Sequence, residues 1–339
     1  GLLAIGGLAF LAFAAVGSRR EINRLFGALR VAGLVVLVGG LVGIVARAWL
    51  IDGGGPDAIA STTSLRDSVE GDAGLALVLT ALGGLLVALG ARAAYGPAPG
   101  VAIAAGSWDE YRPQRVVGGS IRNAWIAVSG VVVIAIGAAL DGHTASEGPR
   151  VVVWAADLVH IAAAGVWLGG LALLVALLVG RRRAGRPANG AYPAVRFATL
   201  AGAGSAGAAL AGIALAIIVL PSVSALWESA WGLLLVAKVA LVAIVATMGA
   251  HNHFRLIPGL ADHLAAAEAE TRDDPVERRL DPGSAGSVAT LVREERVAGA
   301  SGDADEAIAA KLRRNATVEL LLLGAVVAIT AALVGTSAV

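Results

Sequence analysis

The sequence predicts an all-α, polytopic transmembrane helical bundle of about eight spans, with both termini on the external side. Hydrophobic residues make up 57% of the 339 residues and charged residues only 15%, whereas soluble domains carry about 25% charged residues. Apolar runs of roughly 17–25 residues recur along the chain, and each is long enough to cross a bilayer as a helix. Basic residues collect in alternate connections, as the positive-inside rule requires. We therefore expect a multi-pass membrane protein.

Eight apolar runs are the candidate spans. They cover residues 1–17, 27–51, 73–95, 120–140, 151–180, 196–220, 229–250 and 315–337. Arg19, Arg20 and Arg24 follow the first run and Arg181–Arg183 follow the fifth, which predicts that both connections are cytoplasmic. The connection after the second run holds five acidic residues against one arginine, which is typical of an external loop. With eight crossings, this alternation leaves both termini outside.

The predicted spans divide into two halves of four helices each. The N-terminal half covers residues 1–140, and the C-terminal half covers residues 141–339. The last connection, about 251–314, mixes opposite charges with Gly, Ser, Ala and Pro, so we expect a mobile cytoplasmic loop with one or two short amphipathic helices near 260–270 and 304–314. The sequence begins inside an apolar stretch without an initiator methionine, from which we expect a processed or truncated start.

Composition excludes several classes of function. The chain has no cysteine, which removes disulfides, thiolate metal sites and thiol catalysis. Its single methionine, Met248, cannot build a thioether ladder for a cuprous ion. The absence of a glycine-rich phosphate loop disfavours an ATP-driven pump, and the absence of a basic patch with interleaved aromatics argues against a nucleic-acid partner. We expect a protein that is not an enzyme.

The fifth span carries two ionisable residues, Asp157 and His160, within an otherwise apolar run. A charged side chain near the bilayer centre costs at least about 2.5–3.5 kcal/mol, so such residues usually face the bundle interior and mark a pathway or a ligand site. Their spacing of three places both on one face of the helix. Lys238 of the seventh span lies at about the same depth, at about 1.5 Å of rise per residue. His143 precedes the fifth span in an external turn.

Two interpretations of these residues stay open. In the first, His143 and His160 bind copper or another imidazole-preferring ion from outside, and Asp157 is a ligand or orients the His160 ring. In the second, Asp157 and Lys238 form an ion pair that holds two helices together, and His160 donates to a backbone carbonyl. The residues alone do not decide between a metal site and a structural polar layer.

Polar residues at the internal ends of the last two spans are predicted to have ordinary interfacial roles. His251 and His253 follow the seventh span; they could be a pair of exit ligands, but histidines at an internal interface more often contact lipid headgroups. Glu319 lies near the internal start of the eighth span and is expected to reach the interface by snorkelling. We assign no special role to Glu319.

Several segments of the second half resemble the copper resistance D (CopD) membrane family. The resemblance is carried by Gly142-His143, the run from Asp157 to Leu171, Arg196-Phe197, the run from Gly232 to Lys238, the run from Asn252 to Pro258, and Leu312 to Asn315 with Glu319-Leu320. It covers residues 120–339, while the first four spans match only in hydropathy and order. Two departures are His253, which stands where the family has an arginine, and an expanded loop over 259–311.

The resemblance implies an eight-helix inner-membrane protein of copper uptake or copper homeostasis. It favours His143 and His160, with Asp157, as metal-site residues and copper as the ion. Members are often fused to, or act beside, a small periplasmic copper-binding domain of the CopC type, which we expect upstream of Gly1 or on a separate chain. The lipid bilayer, the copper ion and this CopC-type partner are therefore the expected partners.

Two other classes of function remain as alternatives. A haem-binding redox or haem-handling membrane protein is one, because histidines of helical bundles also serve as axial ligands. It is poorly supported because only His160 lies well inside a span. The other is a ligand-free membrane assembly subunit, in which the polar residues only fix the register of the helices.

Overall fold

The chain folds as a bundle of long helices. The computed structural model describes residues 1–17, 19–53, 61–92, 114–115, 121–140, 149–185, 191–220, 222–256, 258 and 288–334. Within these ranges, seven helices are long and apolar enough to cross a membrane. The predicted all-α polytopic architecture is thus confirmed.

The helices follow the predicted apolar runs. They are α1 (Leu2–Phe13), α2 (Arg19–Ile51), α3 (Thr62–Val69), α4 (Gly71–Gly90), α5 (Ile121–Leu140), α6 (Arg150–Arg183), α7 (Ala191–Val219), α8 (Ala225–Glu228), α9 (Ala230–His251) and α10 (Val288–Val334). A π-helical turn, Asn252–Leu256, continues α9. Two short strands, β1 (Val16–Gly17) and β2 (Gln114–Arg115), pair antiparallel.

The two ends of the chain differ from the prediction. Helix α1 has 12 residues, or about 18 Å at 1.5 Å per residue, which is shorter than the roughly 30 Å hydrocarbon core of a bilayer. Helix α10 begins at Val288, so the loop that we predicted to run to residue 314 ends earlier and the predicted helix near 304–314 is part of α10. Residues 288–314 contain no proline and many Ala, Glu and Arg residues, which favour helix. The predicted helix near 260–270 lies outside the described residues.

Helix α6 lies at the centre of the packing. It contacts α1, α2, α5, α7 and α10, while α9 packs mainly against α10 and α8. The contact between α1 and α6 is very close, because a Cβ atom on Gly6 would overlap the Gly165 carbonyl oxygen and the backbone at Gly169. Small residues permit such approaches between membrane helices. The polar residues of α6 are therefore held on a rigid central helix.

An ion pair fixes the predicted inner end of α6. Arg181 donates from Nε to Oε1 of Glu21 at 3.0 Å and from Nη2 to Oε2 at 3.3 Å. The Arg181 side chain is only 4% exposed. Bidentate arginine–carboxylate pairs are among the stronger and more directional charged contacts. Arg181, which the sequence analysis used only to orient the chain, therefore also ties α6 to the start of α2.

Candidate functional site

His160 is held by a hydrogen bond to the neighbouring helix. Its Nδ1 donates to the backbone carbonyl oxygen of Ala208 on α7 at 2.8 Å. A carbonyl oxygen can only accept, so the proton of the neutral ring is on Nδ1 and the lone pair is on Nε2. Metal-ligating histidines commonly have their other ring nitrogen fixed in this way. The same bond is also the one expected of a purely structural histidine.

Gly212 makes room for the His160 ring on α7. A Cβ atom at this position would lie 3.1 Å from Cε1 and 3.3 Å from Nδ1 of the imidazole. Both distances are shorter than an ordinary van der Waals contact. The position of the ring therefore depends on a glycine one turn along α7 from the carbonyl that accepts its hydrogen bond.

Asp157, His160 and Lys238 form one group, which we call the outer polar layer, using outer and inner in the sense of the predicted orientation. Lys238 of α9 is close enough to interact electrostatically with both Asp157 and His160 of α6. In the described chain α6 and α9 are not among the closely packed pairs of helices. Among the described residues Asp157 and Lys238 form no direct ion pair, so the predicted layer is present only as a longer-range attraction between the two charges. His143 lies outside the described residues.

The outer polar layer offers few ligands for a metal ion. Across the described residues, no group of three or more His, Asp or Glu side chains could hold a metal. Asp157 and His160 supply at most two ligands, since Lys238 carries only donors.

A second polar group, which we call the inner amide network, lies near the predicted inner ends of α9 and α10. Asn315 donates from Nδ2 to Oδ1 of Asn252 at 2.8 Å, and Asn252 donates from Nδ2 to Oε1 of Glu319. Glu319 is 4% exposed and Asn252 is 7% exposed. The expectation that Glu319 reaches the interface by snorkelling is therefore wrong, because the π-helical turn and α10 pack together and enclose its carboxyl group.

Sequence reasoning did not identify the inner amide network as a site. Two signals were available: an acidic residue within an apolar span, which usually has a function, and two asparagines among the residues that carry the family resemblance. The π-helical turn that positions Asn252 is not visible in the sequence. Such turns are frequent at functional sites.

A cavity of about 490 Å³ lies between α6, α7, α9 and α10, and we call it the inner cavity. Most of its wall is apolar and includes the rings of Trp167 and Phe197. Its polar wall includes Glu319, Asn252 and His253. His253 is exposed, and its ring packs edge-to-face on Phe254 with 4.9 Å between the ring centroids. The volume lies within the range of about 300–1,000 Å³ that is usual for ligand sites.

Comparison with protein-family models matches residues 191–281 to copper resistance protein D. The resemblance to the CopD family is confirmed. The matched CopD segment contains α7 and α9, and with them Ala208, Lys238 and His253, but it includes neither α6 nor α10. It is shorter than the expected 120–339, and the residues Asp157 and His160 lie outside it. No curated protein and no solved structure matches the chain.

The chain is thus a multi-pass membrane protein by the length of its apolar helices, and it contains a segment similar to copper resistance protein D.

Proposed function

We propose that the protein carries copper across the cytoplasmic membrane, inward from the external face, by ligand exchange and without further chemistry. Copper would be received from outside, by a CopC-type partner or directly, and His143 would be its first contact. The ion then reaches Asp157 and His160. The observation that carries this proposal is the bond from His160 Nδ1 to Ala208, which leaves the Nε2 lone pair for a metal in a chain with a CopD segment.

Lys238 stabilises the outer polar layer when no copper ion is bound. An isolated carboxylate in the membrane is costly, and the Lys238 ammonium attracts Asp157 and reduces that cost. When copper binds at Asp157 and His160, the metal replaces the ammonium as the counter-charge. The lysine therefore competes with the ion, which keeps binding weak enough for release.

The test is a Cu²⁺ titration of tag-free, detergent-purified protein, followed by electron paramagnetic resonance. His160→Ala should weaken the tightest copper site by about tenfold or more, as loss of a ligand or of its support usually does. His251→Gln is the matched control, because His251 is an exposed histidine at the inner end of α9. Equal copper affinity in the wild type and in His160→Ala would contradict the proposal.

The ligand-free assembly subunit is the second candidate, and one observation favours it. The His160–Ala208 hydrogen bond joins α6 to α7 whether or not a metal binds. If the layer is only structural, His160→Ala lowers the thermal stability of the protein but leaves its copper content unchanged. Visible spectra recorded on the same samples address the haem alternative, which requires a Soret band.

A further inference from the structure

The inner cavity lies on the inward side of the outer polar layer. Trp167, which lines the cavity, follows His160 by seven residues on α6, or about 10 Å along the helix. Ser205, which also lines it, precedes Ala208 by one turn of α7. From there the cavity extends to His253 at the inner end of α9. The two sites are therefore placed one after the other across the membrane.

Glu319 borders this cavity with one oxygen atom still available. Its Oε1 accepts from Asn252. Its Oε2 is directed toward the cavity-lining Gly249, since it lies 3.9 Å from where a Cβ atom of that glycine would stand. Glu319 and Gly249 both line the cavity, so this oxygen lies at the cavity wall.

The surroundings of Glu319 provide donors but no positive charge. In the described chain, its hydrogen-bond partner is the neutral amide of Asn252, and no lysine or arginine forms an ion pair with it. Both asparagines of the network donate in the direction of the carboxyl group. A carboxylate that is buried to this extent needs a cation as a counter-charge. The cavity is the space from which a cation can reach it.

We propose that the inner cavity is the inner half of the copper path, and that Glu319 and His253 are the ligands of a second copper site there. This inference rests on the proposed transport function. A carboxylate and an imidazole are both suitable ligands for a cupric ion. The cavity is far larger than a single water molecule of about 30 Å³, so the ion enters with water as its remaining ligands. Two protein ligands hold it weakly, and His253 is exposed for its release.

The test uses His160→Ala protein, in which the outer site is removed, and Cu²⁺ alone as the probe. This protein should still bind copper at the inner site. Adding Glu319→Gln should weaken that remaining binding by about tenfold or more. Glutamine has the same shape and still accepts from Asn252, so the fold should be kept. Glu228→Gln is the matched control, because Glu228 is an exposed acid on α8. Unchanged binding after Glu319→Gln would overturn the inference.

A second variant keeps the test decisive if Glu319→Gln does not fold. His253 is exposed, so His253→Asn should leave stability unchanged and should also weaken the inner site. Copper uptake into wild-type proteoliposomes separates this inference from the proposed function. If the wild type takes up copper and binds it through His160 but has no Glu319-dependent site, the transport proposal stands and the inner site is refuted. If a Glu319-dependent copper site is found but the wild type takes up no copper, the inner site stands and the transport proposal is refuted.

Discussion

The outer polar layer and the inner amide network each place a carboxyl group within an apolar helix, but they surround it differently. Asp157 is half-buried and has the Lys238 ammonium as a counter-charge. Glu319 is almost fully buried and receives a hydrogen bond from a neutral amide. The outer layer contains both signs of charge, so the charge of Asp157 is partly balanced without a ligand. The inner network is satisfied only when a cation, either a metal ion or a proton, joins it.

This difference gives the two sites different roles on one path. The outer layer exchanges one cation for another, since copper replaces the lysine ammonium at Asp157. The inner network attracts a cation into the inner cavity, because no positively charged side chain of the described residues pairs with Glu319 there. An ion that moves inward therefore leaves a site where it competes with the Lys238 ammonium and enters one where only protons compete with it. Removing the charge of Lys238 should therefore strengthen copper binding at the outer layer, whereas removing the charge of Glu319 should weaken copper binding at the inner site.

The largest effect is expected from Asn252→Ala. It removes the donor to a buried carboxyl group, and losing a hydrogen bond to such a group typically costs about 1.5–3 kcal/mol in the free energy of unfolding. Chemical unfolding in mixed micelles measures this loss. The double variant Asn252→Ala with Glu319→Leu should recover a large part of it, because no unpaired carboxyl group remains. If the double variant is as unstable as the single one, the cost does not come from Glu319.

A smaller effect is expected from Gly212→Ala. The added methyl group would meet the His160 ring at 3.1 Å, and overpacking of this kind typically costs about 1–3 kcal/mol. The displaced ring should also lose its bond to Ala208, so copper affinity should fall. Gly202→Ala is the control on the same helix, because a Cβ atom there has no neighbour within 4 Å. Equal behaviour of the two variants would show that the ring is not held against α7.

The next effect is a gain in affinity from Lys238→Met. Removal of the competing ammonium should strengthen copper binding at Asp157 and His160 by on the order of 1–2 kcal/mol, which is about tenfold. Copper titrations of the purified protein measure it, with Lys311→Met as a control because Lys311 is an exposed lysine on α10. A loss of affinity would mean that Lys238 supports the site and does not compete with the ion.

The outer polar layer could be predicted from the sequence, whereas the inner network could not. Asp157 and His160 are three residues apart on one helix, so their common face follows from helical periodicity. Asn252 and Glu319 are 67 residues apart, and they meet only because the π-helical turn and α10 pack together. The same limit applies to α10, since apolar periodicity locates a span but does not show how far the helix continues into a polar segment.

The smallest effect is expected from Asn315→Ala, and it tests whether charge or hydrogen bonding governs the inner site. Asn315 donates to Asn252 and does not contact Glu319 through its amide, so its loss removes a neutral hydrogen bond worth about 0.5–1.5 kcal/mol. Stability should fall by that amount, while inner copper affinity should change by less than about threefold, since the Glu319 carboxylate and His253 are unaltered. Parallel unfolding and copper titrations of the His160→Ala background provide both values. A loss of inner copper affinity as large as that of Glu319→Gln would show that the orientation of the amides, and not the carboxylate charge, makes the site.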